Sequence, residues 1–229
     1  MASGQPIQKQ LEEVKGNLLK MADLVEEGLR NAVGSLTQRD SNLARQVVAG
    51  DDEIDRMDND IDEACLKLLD TKKATGTDLR FLTMAMKIVT DLERMGDHAV
   101  NIAYRAISLN EEPQLKPYVD LPRMAEVAQS MVRDTITAFL DRDSRLAHSV
   151  HERDDLVDAL NDQIFRELIT YTVSDPSTVP RAMQLMIVSR CLERIADHAT
   201  NIAENIIFIE TGEMIRHRVI RKSREPKSI

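Results

Sequence analysis

Apolar residues recur at three- and four-residue intervals along nearly the whole chain. Ile54, Met57 and Ile61 form one such series, and Val150, Val157, Leu160 and Ile164 another. That spacing marks helices with one buried stripe. The series break at residues 38–41, 71–77, 112–122, 141–144 and 174–180, where Gly, Pro, Asp, Ser and Thr gather. Six helices of about 22 to 35 residues follow, and at about 1.5 Å per residue the longer ones reach about 45 Å. Asp40 or Ser41, Thr77, Asp120, Asp143 and Ser177 or Thr178 are the expected N-caps.

The pattern is written twice. Leu92-Glu93-Arg94-Met95-Gly96-Asp97-His98-Ala99-Val100-Asn101-Ile102-Ala103 returns as Leu192-Glu193-Arg194-Ile195-Ala196-Asp197-His198-Ala199-Thr200-Asn201-Ile202-Ala203, 100 residues on, with nine of twelve positions identical. Upstream, Arg39-Asp40-Ser41 matches Arg142-Asp143-Ser144, and Asp51-Asp52 matches Asp154-Asp155, both at an offset of 103. A core demands only apolar character and size, so charged residues kept between the copies point to a duty performed twice. The expected fold is all-α: two tandem three-helix bundles, each up-down-up. The first spans 1–112, the second 113–213, and a basic C-terminal tail fills 214–229.

Composition supports this reading. There are 8 Gly and 7 Pro in 229 residues and aromatics are 3%, which disfavours a sheet protein. Cys65 and Cys191 form no disulfide framework and read as small buried apolar residues. No signal peptide and no membrane-spanning apolar run is visible, so a cytoplasmic chain is expected. The net charge is −9, but the tail carries six Lys/Arg against Glu225, or +5, which leaves the rest at −14. An acidic body argues against nucleic acid as a partner. The basic tail suits an anionic membrane face or an acidic protein.

The acidic residues fall on stripes. Glu93, Asp97 and Asn101 are spaced i, i+4, i+8 beside the apolar face of Ile88, Leu92, Met95, Ala99 and Ile102. Asp51, Asp55, Asp58 and Asp62 form a stripe on the preceding helix. An antiparallel hairpin turning near Ala74 sets Asp55 opposite Glu93, Asp51 opposite Asp97, and Asp58 near Asp91. In the second half the same logic makes Asp158 the neighbour of Glu193 and Asp154 that of Asp197, with Asn201 closing the stripe. Carboxylates brought together repel and raise one another's pKa unless a cation intervenes. Oxygen donors suit Mg, Mn, Ca or iron and argue against a thiolate zinc site. A solvated acidic flank, balanced by Arg94, Arg105 and Arg194, is the plain alternative. His98 and His198 lie about 100° round the helix from the stripes and read as surface or interhelical hydrogen-bonding residues. His148 and His151 are expected to be solvent-exposed.

The doubled Leu-Glu-Arg-x-x-Asp-His-x-x-Asn-Ile-Ala, with Asp-x-x-Ile-Asp upstream, resembles the PhoU family of bacterial phosphate-transport accessory and regulatory proteins. The resemblance runs from about Ile7 to Gly212. It implies a non-enzymatic negative regulator of the phosphate-starvation response and of phosphate uptake. Such a protein acts at the inner membrane face, linking the ATPase subunit of the phosphate ABC transporter to a phosphate-sensing histidine kinase. It also implies metal ions (Mg, Mn, Fe or Zn, often as multinuclear clusters) at Glu93 to Asp97 and Glu193 to Asp197, and a homodimer. The second site is poorer in carboxylates: Asn161 stands for Asp58, Phe165 for Asp62 and Cys191 for Asp91. A ferritin-like di-iron enzyme would need Glu-x-x-His on two helices, which neither copy has. A metal-free helical scaffold is the stronger rival. No nucleophile-base set or phosphate-binding loop is visible.

Overall fold

The computed structural model describes residues 7–71, 74 and 76–211. They form six α-helices: α1 (Ile7–Thr37), α2 (Ser41–Asp70), α3 (Thr77–Asn110), α4 (Asp120–Asp141), α5 (Ser144–Ser174) and α6 (Val179–Thr211). A 3-10 turn, Pro176–Thr178, joins the last two. The basic tail lies outside the described residues. None of the described helices is long and apolar enough to cross a membrane.

α1, α2 and α3 pack on one another, as do α4, α5 and α6, giving two three-helix bundles. The bundles also meet, α3 against α6 and α1 against α4, and their buried side chains merge into one core. Leu18, Met21 and Leu29 of α1, Leu92 and Met95 of α3, and Leu121 and Met124 of α4 are fully enclosed. Each such side chain contributes roughly 1.5–3 kcal/mol by leaving water. The stripe flanking the motif, Leu92, Met95, Ala99 and Ile102, is therefore anchored in the core. That anchoring fixes the direction in which Glu93 and Asp97 point.

The repeated Arg-Asp pairs explain how each second helix starts. Arg39 (φ 56°) and Arg142 (φ 55°) both adopt the left-handed conformation that turns the chain. The following carboxylates cap the helices. Asp40 accepts from the N–H groups of Asn42 and Leu43 at 2.9 and 3.1 Å, and Asp143 from those of Arg145 and Leu146 at the same distances. The other expected caps differ. Gly76, at φ 49°, precedes α3 and offers no side-chain cap, so Thr77 is the first helical residue. Val119 precedes α4, and the Asp120 carboxylate instead accepts from Gln163 Nε2 at 2.9 Å. Ser177 and Thr178 lie inside the 3-10 turn, which Asp175 caps through the Ser177 N–H. Asp175 sits where the chain is extended and can reach forward, which the two residues inside the turn cannot.

The join between the halves is tied down. Arg39 donates to the carbonyls of Asn110 and Glu112 at 2.7 and 2.6 Å, and Arg181 to that of Pro113 at 2.9 Å. Lys116 is buried and ion-paired with Glu167 of α5. At the α1–α4 contact, Arg133 pairs with the buried Glu26.

Candidate carboxylate sites

The α2–α3 hairpin brings the predicted residues together. Asp51 lies within electrostatic range of Asp55 and Asp97, and Glu93 within range of Asp97, Asp58 and Asp55. Asp51 stands opposite Asp97 and Asp55 opposite Glu93, so the register expected from a turn near Ala74 holds. Gly96 makes room for this approach: a Cβ there would sit 3.1 Å from Ile54 Cδ1 and 3.4 Å from Asp51 Oδ1. The sequence marks it only as a glycine inside a helix, where Ala is otherwise preferred.

Arg94 lies at the edge of this cluster, 3.5 Å from Glu93 Oε2, and the carboxylates outnumber it. Burial first, then Asp55, Asp97 and Asp52, pushes the Asp51 carboxyl up to about 6. Burial and neighbouring carboxylates also raise Asp58 and Glu93, and burial raises Asp62. The buried Asp62 Oδ1 has no hydrogen-bond partner.

The second site repeats the plan with changes. Burial, then Asp158 and Asp197, pushes Asp154 to about 6, and Asp158 and Glu193 are raised as well, burial again leading. Asn161, in the place of Asp58, accepts from Ser189 Oγ. Arg190, where the first copy has Thr90, pairs with Glu193 Oε1. Arg194 reaches Asp197 at 3.3 Å. The other Glu193 oxygen, Oε2, is buried and unpartnered. Arg190 lies outside the identical motif block, so the doubled motif alone did not flag it.

Other candidates are placed elsewhere. Asn101 turns its amide back to the Asp97 carbonyl at 3.0 Å, and its residue is exposed. Asn201 lines an open groove with Asp62, Thr83, Lys87, Thr90 and Asp91. Asp91 leaves the first cluster and meets His198 Nδ1 at 2.8 Å across the α3–α6 contact. The His98 and His198 rings face each other there, 5.9 Å between centres. Burial, then His198, lowers the His98 pKa. The motif histidines thus join the two halves. His148 and His151 are half-buried rather than exposed, because the start of α5 packs against α6. His151 Nδ1 lies 3.9 Å from Glu204. Cys65 and Cys191 are buried free thiols, raised to about 11 by burial.

The donors suit a hard, oxygen-loving cation: carboxylates only, partly desolvated, with unpartnered oxygens on Asp62 and Glu193. Their side chains are splayed, however. Among the described residues, no three Asp, Glu, His or Cys side chains form a ready-made metal-holding group. Closing on an ion requires rotamer changes along each stripe.

The raised carboxyls set a pH dependence for the metal-free chain. A carboxyl whose pKa is higher in the folded than in the unfolded state stabilises folding below its unfolded value, and that contribution is lost as pH rises through the folded value. For Asp51, facing Asp52, Asp55 and Asp97, and for Asp154, facing Asp158, Asp197 and His151, the window runs from 3.8 to about 6. Between about pH 4 and 6 the chelated protein loses stability. Asp51→Asn with Asp154→Asn removes most of this loss, on the order of 1 kcal/mol per site after discounting for solvent screening. Urea midpoints against pH check this; equal slopes for wild type and variant contradict it.

Comparison with known proteins fits the doubled geometry. The PhoU domain model matches at residues 18–106 and again at 121–206. The chain is 46% identical to the phosphate-specific transport system accessory protein PhoU homolog of Aquifex aeolicus, covering 95% of this chain and 98% of that protein. Its identity to the Pseudomonas putida homolog is 39%, covering 95% and 86%. The crystal structure of PhoU from Pseudomonas aeruginosa superimposes with a TM-score of 0.87 at 40% identity, covering 91% of this chain and all of that one. PhoU from Streptococcus pneumoniae, described as a phosphate transport system regulatory protein, gives 0.82 at 28%, covering 92% and 99%. With both halves matched and the likeness running almost end to end, the chain belongs to the PhoU family.

Proposed function

We propose that this chain is the accessory regulator of a phosphate-specific transport system. It links the ATPase subunit of the transporter to a phosphate-sensing histidine kinase, and it represses the starvation response and restrains uptake when phosphate is plentiful. The observation that carries this reading is the near end-to-end match to proteins named as accessory to that system. The role is regulatory, not enzymatic. Deleting the gene leaves the phosphate-starvation response switched on in phosphate-rich medium, as read by a starvation-promoter reporter. A response that stays repressed contradicts the proposal.

The carboxylate clusters are metal sites on this reading. Asp51, Asp55, Glu93 and Asp97 hold one centre, and Asp154, Asp158, Glu193 and Asp197 the other. A bound cation offsets the mutual repulsion that raises these carboxyls. The splayed side chains favour a rival, a metal-free adaptor; metal analysis of the purified protein separates the two.

The protein works at the inner membrane face, and the +5 tail assists its recruitment. An anionic leaflet attracts each nearby Lys or Arg by about 1 kcal/mol, and screening weakens this as the Debye length falls from about 10 Å at 0.1 M salt to about 3 Å at 1 M. Truncation after Glu213 therefore reduces binding to anionic vesicles and removes its salt dependence. Equal binding by truncated and full-length chains sinks this role for the tail.

A further inference from the structure

The acidic stripe of the second half runs into an exposed apolar face. Phe165 follows Asp158 by seven residues and so lies on the same stripe of α5, with Ile169 and Val173 one and two turns beyond. On α6, Val179, Met183 and Ile187 form an exposed ridge that continues into the exposed Arg190 and Arg194. The Asn161–Ser189 hydrogen bond and the Asp158–Glu193 interaction fix the hairpin register. That register sets Phe165 beside Ile187, Ile169 beside Met183, and Val173 beside Val179. All six are exposed, Val173 at 77%, Met183 at 56% and Phe165 at 52%. Folding does not demand this. At Asp62, Thr83 and Lys87 the first half has polar residues where the second has Phe165, Met183 and Ile187. A clustered, rather than scattered, set of large exposed apolar residues marks an interaction surface.

We infer that this face of the α5–α6 hairpin docks an amphipathic helix of a partner protein, one whose apolar ridge continues into basic residues. Two antiparallel helices carrying apolar side chains at i, i+4 and i+8 frame a groove about 12 Å long, two turns of a docked helix. Charge selects the occupant. Beyond the groove α5 presents the exposed Asp155 and Asp162, outside the carboxylates assigned to the metal, while Arg190 and Arg194 of α6 are engaged by Glu193 and Asp197, so a basic extension meets the α5 carboxylates there. A second copy of the same face is a poor occupant. Aligned in parallel, the two acidic stripes would lie on each other; aligned antiparallel, each stripe would lie on the exposed Asp175 at the other hairpin's tip.

The inference rests on the proposed function, whose two partner proteins are the probes. The full-length chain, wild type and Phe165→Ser/Met183→Ser, is titrated against the purified transporter ATPase and against the cytoplasmic part of the histidine kinase. Both substitutions are at exposed positions, and unchanged circular dichroism and thermal transition verify folding. Binding to one of the two partners weakens at least tenfold, and the wild-type affinity falls with salt. Leu66→Ser/Leu79→Ser, at exposed positions of the first half, leaves it unchanged. Equal binding of wild type and variant by both partners overturns the docking face and spares the function. Loss of self-association in sedimentation, with partner binding intact, overturns it in favour of a homotypic contact. A wild-type chain that binds neither partner overturns the function and the docking face together.

Discussion

Replacing Glu93 and Asp97 together by Ala removes most of the metal bound by the first half and leaves the helices intact. The side chains flank the core without filling it; their neighbours Leu92 and Met95, which are fully buried, are untouched. Ala is the best helix former, so backbone propensity improves at both positions. The metal-free chain also loses two members of a mutually repelling cluster, in which Asp97 raises both Asp51 and Glu93. Its thermal midpoint therefore stays level or rises. The metal-loaded chain behaves in the opposite way, because a ligand held only by the folded state stabilises it through mass action. Metal content after exhaustive dialysis reads the first effect, and thermal denaturation with and without metal reads the second. A variant that keeps its full metal complement contradicts the ligand assignment.

The first site binds its ion more tightly than the second, and Arg190→Thr narrows the gap. In the second half the Arg190 guanidinium occupies Glu193 Oε1, and Asn161 replaces a carboxylate. An incoming cation must displace the arginine and finds two fewer carboxylates, with Asn161 standing for Asp58 and Phe165 for Asp62. In the first half Thr90 occupies the position of Arg190, and Asp58 that of Asn161. Restoring Thr at 190 frees Glu193 and strengthens the second site on the order of tenfold, about 1.4 kcal/mol for a partly exposed pair released next to a metal. Competitive titration with a metal indicator resolves the two classes of site. A second site that is tighter in the wild type, or unmoved by the substitution, overturns this ordering.

The sequence carried the architecture because helix periodicity and hairpin register are local. Breakers at 38–41 and 141–144 bracket the Asp40 and Asp143 caps, and a turn near Ala74 was enough to set Asp51 against Asp97. The three-residue change of offset between the copies also has a physical home. The α2–α3 connection is longer than the α5–α6 one, and α3 runs further before reaching its motif. What the sequence did not carry depends on contacts between halves and on rotamers. His98 and His198 were legible as lying off the stripe, but not as facing each other, because that requires α3 to cross α6. Asp91 reads as a cluster neighbour by spacing and goes instead to His198, a stronger charge-assisted partner than a neighbouring carboxylate. Asn101 continues the stripe by number, yet its amide is satisfied by its own helix. The Gly76 and Asp175 starts were hidden because a favourable cap residue stood one to three positions further on in each case.

The most direct test of the paired carboxylate centres is a calorimetric titration of the chelated wild-type chain with Mn²⁺ at neutral pH, where the raised carboxyls of Asp51 and Asp154 are ionised. Two unequal classes of site are expected, the tighter one abolished by Glu93→Ala/Asp97→Ala and the weaker by Glu193→Ala/Asp197→Ala. A wild-type chain that takes up no ion beyond a nonspecific surface background, or whose uptake neither double variant changes, contradicts the metal assignment and leaves the two stripes as solvated acidic flanks of a helical adaptor.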